Sequence, residues 1–370
     1  MDYSTILKTV GSLALISGAL SVVISIAEKL LNNYGTCELD INGGQRKLSV
    51  QGGSSLLSTL AGEKIFIPSA CGGKATCGLC KVGVLEGAGP ILPTEEPYLS
   101  EEDRAGKLRL SCQIKVKGNM KLRIPDELFN IKEFNCDVES ITDMTYDIKL
   151  LRVKLPAGES VSFKAGQFMQ IYSKPYGKVT QEVFRAYSIS SKATETDYLE
   201  FLVRLVPGGI LTGYVHSALR EGDKLRVSGP YGDFYLRGNC EELIMIAGGS
   251  GLAPIRSLVY DVIEKGRDDL KMRFFFGANT SRDLYYMEEF ARIEKDHPQF
   301  SFIPCLARPE PADNWTGVTG FVTVALAEQV ASSQGKEAYL CGSPGMLDAC
   351  IKILKDKGFS DTAIFYDKFT

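Results

Sequence analysis

"ELIMIAGGSGLAPIRSLVYDVI", residues 242–263, sets the architecture of the C-terminal third of this 370-residue chain. Leu243 to Ala247 form an unbroken apolar run, the pattern of a strand buried on both faces, as parallel strands are. Gly248, Gly249, Ser250 and Gly251 interrupt the run and a helix follows. "MRFFFGAN" (272–279), "FSFIPCLA" (300–307) and "EAYLCGSPGML" (337–347) supply further apolar strands between helical stretches. Strands alternating with helices predict a doubly wound α/β domain whose ligands bind at the strand C-termini.

The glycine turn with Pro254 falls short of the full G-x-G-x-x-G fingerprint, so by itself it does not specify a nucleotide. Cys341-Gly342-Ser343-Pro344 lies at another strand C-terminus. There a thiol could face a nicotinamide, or it could simply be core.

Working upstream, "FNCDVESITDMTYDIKLLRVKL" (134–155) alternates apolar and polar residues as antiparallel strands do. "FKAGQFMQIY" (163–172) and "YLEFLVRLV" (198–206) add strands separated by glycine-rich turns, which predicts an all-β barrel. Between and after them lie "RAYS" (Arg185, Ala186, Tyr187, Ser188) and "GILT" (Gly209, Ile210, Leu211, Thr212). Arg185 suits a bidentate phosphate contact. Tyr187 could present its ring, and Ser188 a hydrogen bond, to a flat cofactor. Gly209 to Thr212 open a predicted helix whose free N–H groups would receive a pyrophosphate. The only histidines are His216, on that helix, and His297. Neither is assigned a catalytic role.

Earlier still, "SACGGKATCGLCKV" (69–82) places three cysteines close together, Cys71-x5-Cys77-x2-Cys80, and Cys112 follows in "RLSCQI" after 31 intervening residues. Thiolates at this spacing suit a [2Fe–2S] cluster of the plant-type ferredoxin kind, with one residue inserted in the first gap. A zinc site would show two C-x2-C knuckles. Glycines 72, 73 and 78 free the loop backbone to aim N–H groups at sulfur. Cys37 lies outside the spacing and reads as a packed thiol. Upstream of the loop, Asn42-Gly43-Gly44 predicts a hairpin turn, and "SSLLSTLAGEKIFIP" (54–68) a short helix followed by a return strand.

The first residues differ from the rest. Thr9 to Ala27 run 19 residues without a charge, roughly 28 Å as a helix, close to the hydrocarbon thickness of a bilayer. The run is longer than the apolar core of a typical signal peptide. A membrane anchor is expected, with an uncleaved signal segment or a buried helix as alternatives. The flanking Lys8, Glu28 and Lys29 do not set an orientation.

Composition excludes other classes. With 42 Lys and Arg against 45 Asp and Glu, and no basic block, nucleic acid is not an expected partner. Five of the ten cysteines (Cys136, Cys240, Cys305, Cys341, Cys350) are scattered, which is no disulfide framework, so a reducing compartment fits.

In order and spacing, "RAYS", "GILT", "GGSGLAP" and "CGSPGM" resemble the ferredoxin–NADP reductase superfamily. With an anchor and a ferredoxin module ahead of them, the whole chain resembles the family of F subunits of Na+-translocating NADH:quinone oxidoreductases. "SACGGKATCGLC", "PDELFNIKEFNC", "GESVSFKAGQF", "DNWTGVTGF" and "YDKF" carry that likeness. The segments flanking the flavin motif, 172–188 and 203–214, are compact beside the family's usual longer loops.

The resemblance implies FAD in the barrel, held by Arg185, Ala186, Tyr187, Ser188 and the 209–212 turn. It implies NADH on Gly248, Gly249, Ser250, Gly251 and Pro254, with its nicotinamide near Cys341 and Gly342. Cys71, Cys77, Cys80 and Cys112 would ligate the cluster. Phe369 would shield the flavin face, and Cys341, Tyr187, Ser188 and Phe369 would surround the reacting atoms. Hydride would pass from NADH to FAD and single electrons on to the cluster. The implied partners are other membrane subunits of a quinone-reducing complex, with the catalytic domains on the cytoplasmic side of the inner membrane.

The expected division is an anchor and linker over 1–32, a β-grasp-like ferredoxin domain over 33–129, the FAD barrel over 130–238 and the NADH domain over 239–370. The same modules would also serve a reductase feeding an oxygenase or another soluble acceptor. A membrane-tethered iron–sulfur sensor is the non-enzymatic alternative. Ser281 and Arg282 sit where a 2′-phosphate would be read. Asp283 beside them is expected to neutralise the arginine and favour NADH, with Asp283→Ser improving NADPH use.

Overall fold

The computed structural model describes residues 3–31, 34–238 and 240–369, and, within the first helix, the side chains of 10–23 and 25. The chain divides into two compact units. One comprises residues 1–67 and 73–129, the other residues 68–72 and 130–370.

The first unit begins with α1 (Tyr3–Leu31). Every described side chain on this helix is exposed, among them Val10, Leu13, Leu15, Ile16, Leu20, Val22 and Val23. Among the described residues, no helix is long and apolar enough to cross a membrane.

β1 (Thr36–Ile41) and β2 (Arg46–Gln51) form the expected hairpin. Asn42, Gly43 and Gly44 all take positive φ (52°, 67° and 95°), the conformation such a tight turn demands. α2 (Leu56–Gly62) is N-capped by Ser55, whose Oγ accepts from the Ser58 amide at 3.2 Å, and it buries Leu56, Leu57 and Leu60. The return strand expected after it does not form. Ile65, Phe66 and Ile67 are buried, but they run as irregular chain outside the sheet. Their apolarity reflects core packing rather than strand pairing. β3 (Lys81–Glu86), α3 (Glu101–Ala105), β4 (Leu108–Leu110) and β5 (Met120–Arg123) complete a mixed sheet of order β2-β1-β5-β3-β4.

The second unit holds two six-stranded sheets. β6 (Lys132–Asp143), β7 (Ile148–Lys154), β8 (Phe168–Tyr172), β9 (Phe184–Ser188) and β10 (Tyr198–Arg204) precede a short helix, α4 (Ile210–Gly213). β11 (Lys224–Tyr231) completes the antiparallel order β10-β7-β6-β11-β8-β9. An Ile189–Phe201 bridge joins the two edges, so the sheet closes into the expected barrel. Its interior is an apolar cluster that includes Phe134, Leu151, Met169, Phe201 and Val227.

The other sheet is wholly parallel. β12 (Glu242–Gly248), α5 (Leu252–Glu264), β13 (Lys271–Ala278), α6 (Met287–Asp296), β14 (Phe300–Leu306), β15 (Val318–Thr319), α7 (Val322–Gln329), β16 (Lys336–Gly342), α8 (Pro344–Asp356) and β17 (Ile364–Lys368) follow in turn. The strand order is β15-β14-β13-β12-β16-β17. α5 and α6 contribute to an apolar cluster with Met245, Phe274 and Tyr339, while α7 and α8 contribute to another with Ile246, Phe275 and Leu340. Successive strand residues point to opposite faces, so the two clusters lie on the two sides of the sheet. The domain is doubly wound, as the sequence predicts.

Candidate functional site

The nucleotide turn is built from glycines because two chain ends meet there. After β12, Gly248 is extended, Gly249 takes φ 55°, and a single 3-10 turn spans Gly249–Gly251 before α5. A Cβ on Gly251 would lie 2.2 Å from the Cys341 carbonyl oxygen and 2.7 Å from the Gly342 nitrogen. Only glycine fits that approach. The fold therefore brings Gly248 to Gly251 against Cys341 and Gly342, some ninety positions apart in sequence. Phe369 extends beyond β17, donates its amide to the Gly342 carbonyl at 3.0 Å, and packs on the apolar cluster that contains Cys341. Pro254 is buried in the first turn of α5.

The Cys341 thiol is not presented to solvent. It is fully buried, and burial, then the Asp367 carboxylate on the paired strand, raise its pKa well above that of an ordinary thiol. Asp367, which sequence reading passed over although it stands inside "YDKF", is half-buried, and burial and the charge of Asp233 push its pKa up to about 6.

Two further residues escaped the sequence reading because they act across sequence distance. Tyr285 is buried edge-on to Phe276 and donates its hydroxyl to the Gly249 carbonyl at 2.8 Å, fixing the glycine turn. Arg204, at the end of β10, holds Asp147 at 2.7 Å, and its Nη1 stands 3.2 Å from where a Gly249 Cβ would lie. It brings a cation from the barrel to the glycine turn.

On the barrel, Arg185, Ala186 and Tyr187 are half-buried on β9 and Ser188 is buried. Arg185 donates from Nη1 to the Phe184 carbonyl at 2.6 Å. Burial raises the Tyr187 phenol above its ordinary range, partly offset by Arg185, so the ring is neutral. The 209–212 turn is helical as expected, but its hydroxyl is already engaged. Thr212 Oγ1 accepts from the Val206 amide at 3.2 Å and stands 3.4 Å from the Val206 and Gly209 carbonyls. Thr212 therefore shapes the turn, and the Gly209 amide is spent on the Val206 carbonyl at 2.8 Å, which leaves the later amides of the turn as the available donors. Tyr176 braces the same helix by donating to the Ile210 carbonyl at 2.6 Å. His216 bonds the Val203 carbonyl at 2.9 Å, a structural use.

Asp283 has partners that the sequence does not show. Its carboxylate accepts from the Thr280 amide at 2.8 Å, from the Thr280 hydroxyl at 2.9 Å and from the Tyr146 hydroxyl at 3.0 Å. Arg282 stacks on the Tyr146 ring at 4.9 Å and makes no ion pair among the described residues. Asp283 thus caps the Thr280 turn as well as placing a carboxylate next to Arg282 in the chain.

In the first unit, Cys80 and Cys112 are buried and their thiols touch. That mutual hydrogen bond, followed by burial, raises the Cys80 pKa above the ordinary range. Ser111 ties the two segments together, its amide and its hydroxyl both donating to the Cys80 carbonyl at 2.9 Å. Cys77 is half-buried, and Cys71 is buried in the 68–72 segment that groups with the second unit. Among the described residues no group of three or more potential ligands stands at metal-holding geometry. The donor set and the loop nonetheless suit a thiolate-bound cluster. Gly72, Gly73, Ala75 and Gly78 take φ of 65°, 87°, 56° and 69°, conformations that turn successive amides inward and favour an anion. Cys37 donates weakly to nearby carbonyls, a packed thiol as expected.

Three domain families match the chain. Residues 39–117 match the 2Fe-2S iron-sulfur cluster binding domain, 135–235 the oxidoreductase FAD-binding domain, and 245–352 the oxidoreductase NAD-binding domain. The chain is 35% identical to the F subunit of the Na(+)-translocating NADH-quinone reductase of Klebsiella pneumoniae over 95% of its own length and 96% of that protein's. It is also 35% identical to the same-named protein of Psychrobacter arcticus over the whole of both chains. Among solved structures it is similar to an Amycolatopsis cytochrome P450 reductase, with TM-score 0.72, 30% identity, and coverage of 90% of this chain and 99% of that one. The ferredoxin reductase of carbazole 1,9a-dioxygenase shares the fold at TM-score 0.69 and 24% identity, covering 91% of this chain and 99% of that one.

Proposed function

Because the chain belongs to the family of F subunits of the Na(+)-translocating NADH-quinone reductase, we propose that it is the NADH-oxidising member of a quinone-reducing, sodium-translocating membrane complex. The observation that carries this is the meeting of Gly248–Gly251, Cys341–Gly342 and Phe369 at the C-terminal ends of adjacent parallel strands. That is where such sheets bind dinucleotides. When bound, FAD accepts hydride from NADH and releases electrons singly to the [2Fe–2S] cluster.

The chain's own residues orient and insulate. Arg185 and the amides of Ile210 to Thr212 would hold the flavin's phosphates, and Ala186, Tyr187 and Ser188 would line its ring. The glycine turn, braced by Tyr285 and supplemented by Arg204, holds the pyrophosphate of NADH. Phe369 would shield the flavin face, and Cys341 and Gly342 would border the nicotinamide. A neutral, desolvated Cys341 supplies shape without charge. Cys71, Cys77, Cys80 and Cys112 ligate the cluster.

α1 anchors the chain as a single span. Its large apolar side chains from Val10 to Val23 are 57–77% exposed, and such a surface is stable in hydrocarbon rather than water. The redox domains, with boundaries near 32, 129 and 238, then face the cytoplasm. Adding NADH anaerobically to the FAD-loaded full chain should bleach the flavin. Deleting residues 1–32 should give a soluble protein that bleaches equally. Flavin that binds normally yet is not reduced by NADH would refute the assignment.

A reductase for an oxygenase is the second reading, favoured by the likeness to the P450 reductase. Co-purification from membranes in mild detergent separates the two, because only the first predicts stable integral-membrane partners.

A further inference from the structure

The second unit contains a buried chain of alternating charge that the hydride-transfer account above does not use. It runs Arg152, Glu200, Arg256, Glu289, and all but Arg152 are more than four-fifths buried at the side chain. Arg256, on α5, is its centre. Its Nε donates to Glu289 Oε1 at 2.6 Å and its Nη2 to Glu289 Oε2 at 3.3 Å. Its Nη1 donates to Glu200 Oε2 and to the Ser190 carbonyl, both at 2.9 Å. Glu200 also receives Arg152 at 3.1 Å.

The partners lie on different cofactor elements. Ser190 is two residues beyond Ser188 on the flavin side, and its amide donates to the Glu200 carbonyl at 2.8 Å. Next to Arg256, Ser257 donates to the Ser191 carbonyl at 2.8 Å. Arg256 is on the helix that leaves the glycine turn, and its guanidinium lies 4.6 Å from the Tyr286 ring centre. Tyr286 takes φ 58°, which a bulky residue rarely adopts, and its buried hydroxyl has no hydrogen-bond partner among the described residues. The neighbouring Tyr285 holds Gly249. One guanidinium thus links the segment after the flavin motif to the helix and tyrosine pair that shape the nucleotide turn.

Apolar contact would join the two domains at less electrostatic cost, because buried ion pairs seldom add net stability. A planar fork bound on three sides instead sets an angle and a distance, and hydride transfer is sensitive to both.

We propose that Arg256 is a positioning residue for hydride transfer, fixing the flavin-binding strand of the barrel relative to the nucleotide turn of the NADH domain. The proposal rests on the NADH-to-FAD function above. The chemistry is unchanged by it. NADH loses a hydride to become NAD+, and FAD gains those two electrons and that proton.

The test compares the full-length FAD-loaded protein with Arg256→Lys, Arg256→Met and Glu200→Gln. The readouts are FAD content, NADH affinity, the limiting rate of flavin reduction in stopped flow, its deuterium isotope effect, and amide hydrogen exchange at 188–191. The expected result for Arg256→Met is a limiting rate at least tenfold lower with NADH affinity within threefold and FAD content unchanged. The isotope effect should change, and exchange at 188–191 should be faster. Arg256→Lys should recover part of the rate, and Glu200→Gln, which keeps the shape, should fall between. A limiting rate and isotope effect unchanged in Arg256→Lys and Glu200→Gln, with only the melting temperature lowered, would overturn the proposal, also if Arg256→Met fails to fold. Wild-type protein that binds FAD but is not reduced by NADH would overturn the underlying function instead, and is read before any variant.

Discussion

Glu95 and Arg109 make the ferredoxin unit's most exacting polar contact, and replacing Glu95 should be among the costliest changes there. Arg109 donates Nε to Glu95 Oε1 at 2.9 Å and Nη2 to Oε2 at 2.6 Å, with both side chains at most 7% exposed. Glu95 also accepts the Leu110 amide and the Leu92 amide, each at 3.0 Å. Arg109 reaches the Gly89 and Pro90 carbonyls at 3.0 and 2.9 Å. The pair clips the loop before α3 to β4, two residues from Cys112. Removing the carboxylate strands a buried guanidinium and two amides, a loss of about 3–5 kcal/mol. For a unit of this size that is on the order of 12 °C or more in its local melting temperature.

The pH dependence has a definite sign. Burial by itself would raise the Glu95 pKa, but the Arg109 hydrogen bond and the Leu92 and Leu110 amides outweigh it and hold the carboxyl below its ordinary value. The folded state therefore binds its proton later than the unfolded state. The contribution is complete above the unfolded pKa of about 4.3 and is lost as pH falls through the folded one. Native-state hydrogen exchange at Leu92 and Leu110 reads this without any cofactor signal. Glu95→Gln should weaken protection strongly at neutral pH and flatten its decline below about pH 4. A Glu95→Leu, Arg109→Met pair should cost less than either single change. Protection within about 0.5 kcal/mol of wild type in Glu95→Gln, or an undiminished acid decline, would show that the clip carries no such load.

Cys112→Ala should abolish or cripple the iron–sulfur absorbance while FAD remains bound, and full iron content in that variant would contradict the ligand set. Wild-type protein should show a higher kcat/KM with NADH than with NADPH, checked by steady-state kinetics with both. Since Asp283 caps the Thr280 turn, Asp283→Ser should lower kcat/KM for NADH rather than raise NADPH use, whereas Asp283→Asn, which keeps an acceptor, should lose less. A clear gain with NADPH in Asp283→Ser would restore the repulsion account. Asp367→Asn should flatten any change in nucleotide binding between about pH 5 and 7, the range set by a carboxyl at about 6. An unchanged profile in titrations of NADH affinity would count against a role for that group.

Patterns that are local in the chain were legible from the sequence alone. The apolar run and glycine break at 243–251 declare a buried parallel strand and its turn, because burial on both faces leaves no polar position. Period-two alternation over 134–155 declares antiparallel strands. The cysteine spacing points to its ligand chemistry, because three thiolates share one loop and a fourth follows downstream. Other features depend on which distant atoms meet, and no local pattern encodes that. Ile65 to Ile67 read as a strand but pack as core, since apolarity is common to both and only pairing partners decide. Asp283 reads as a charge beside Arg282, but that its carboxylate also accepts from Thr280 and Tyr146 emerges only from the fold. Cys341 sits at the predicted strand end, but neighbouring side chains bury its thiol completely. Tyr285, Arg204 and Arg256 stand out only once the barrel and the parallel sheet are folded. Sequence by itself determined the modules and the thiolate ligand set, because these follow from short-range periodicity and ligand spacing, whereas FAD and NADH were legible only through the family resemblance. Tertiary structure alone decided which polar groups are spent on holding the site and which are left to act, because a hydrogen bond's partner is a matter of three-dimensional proximity.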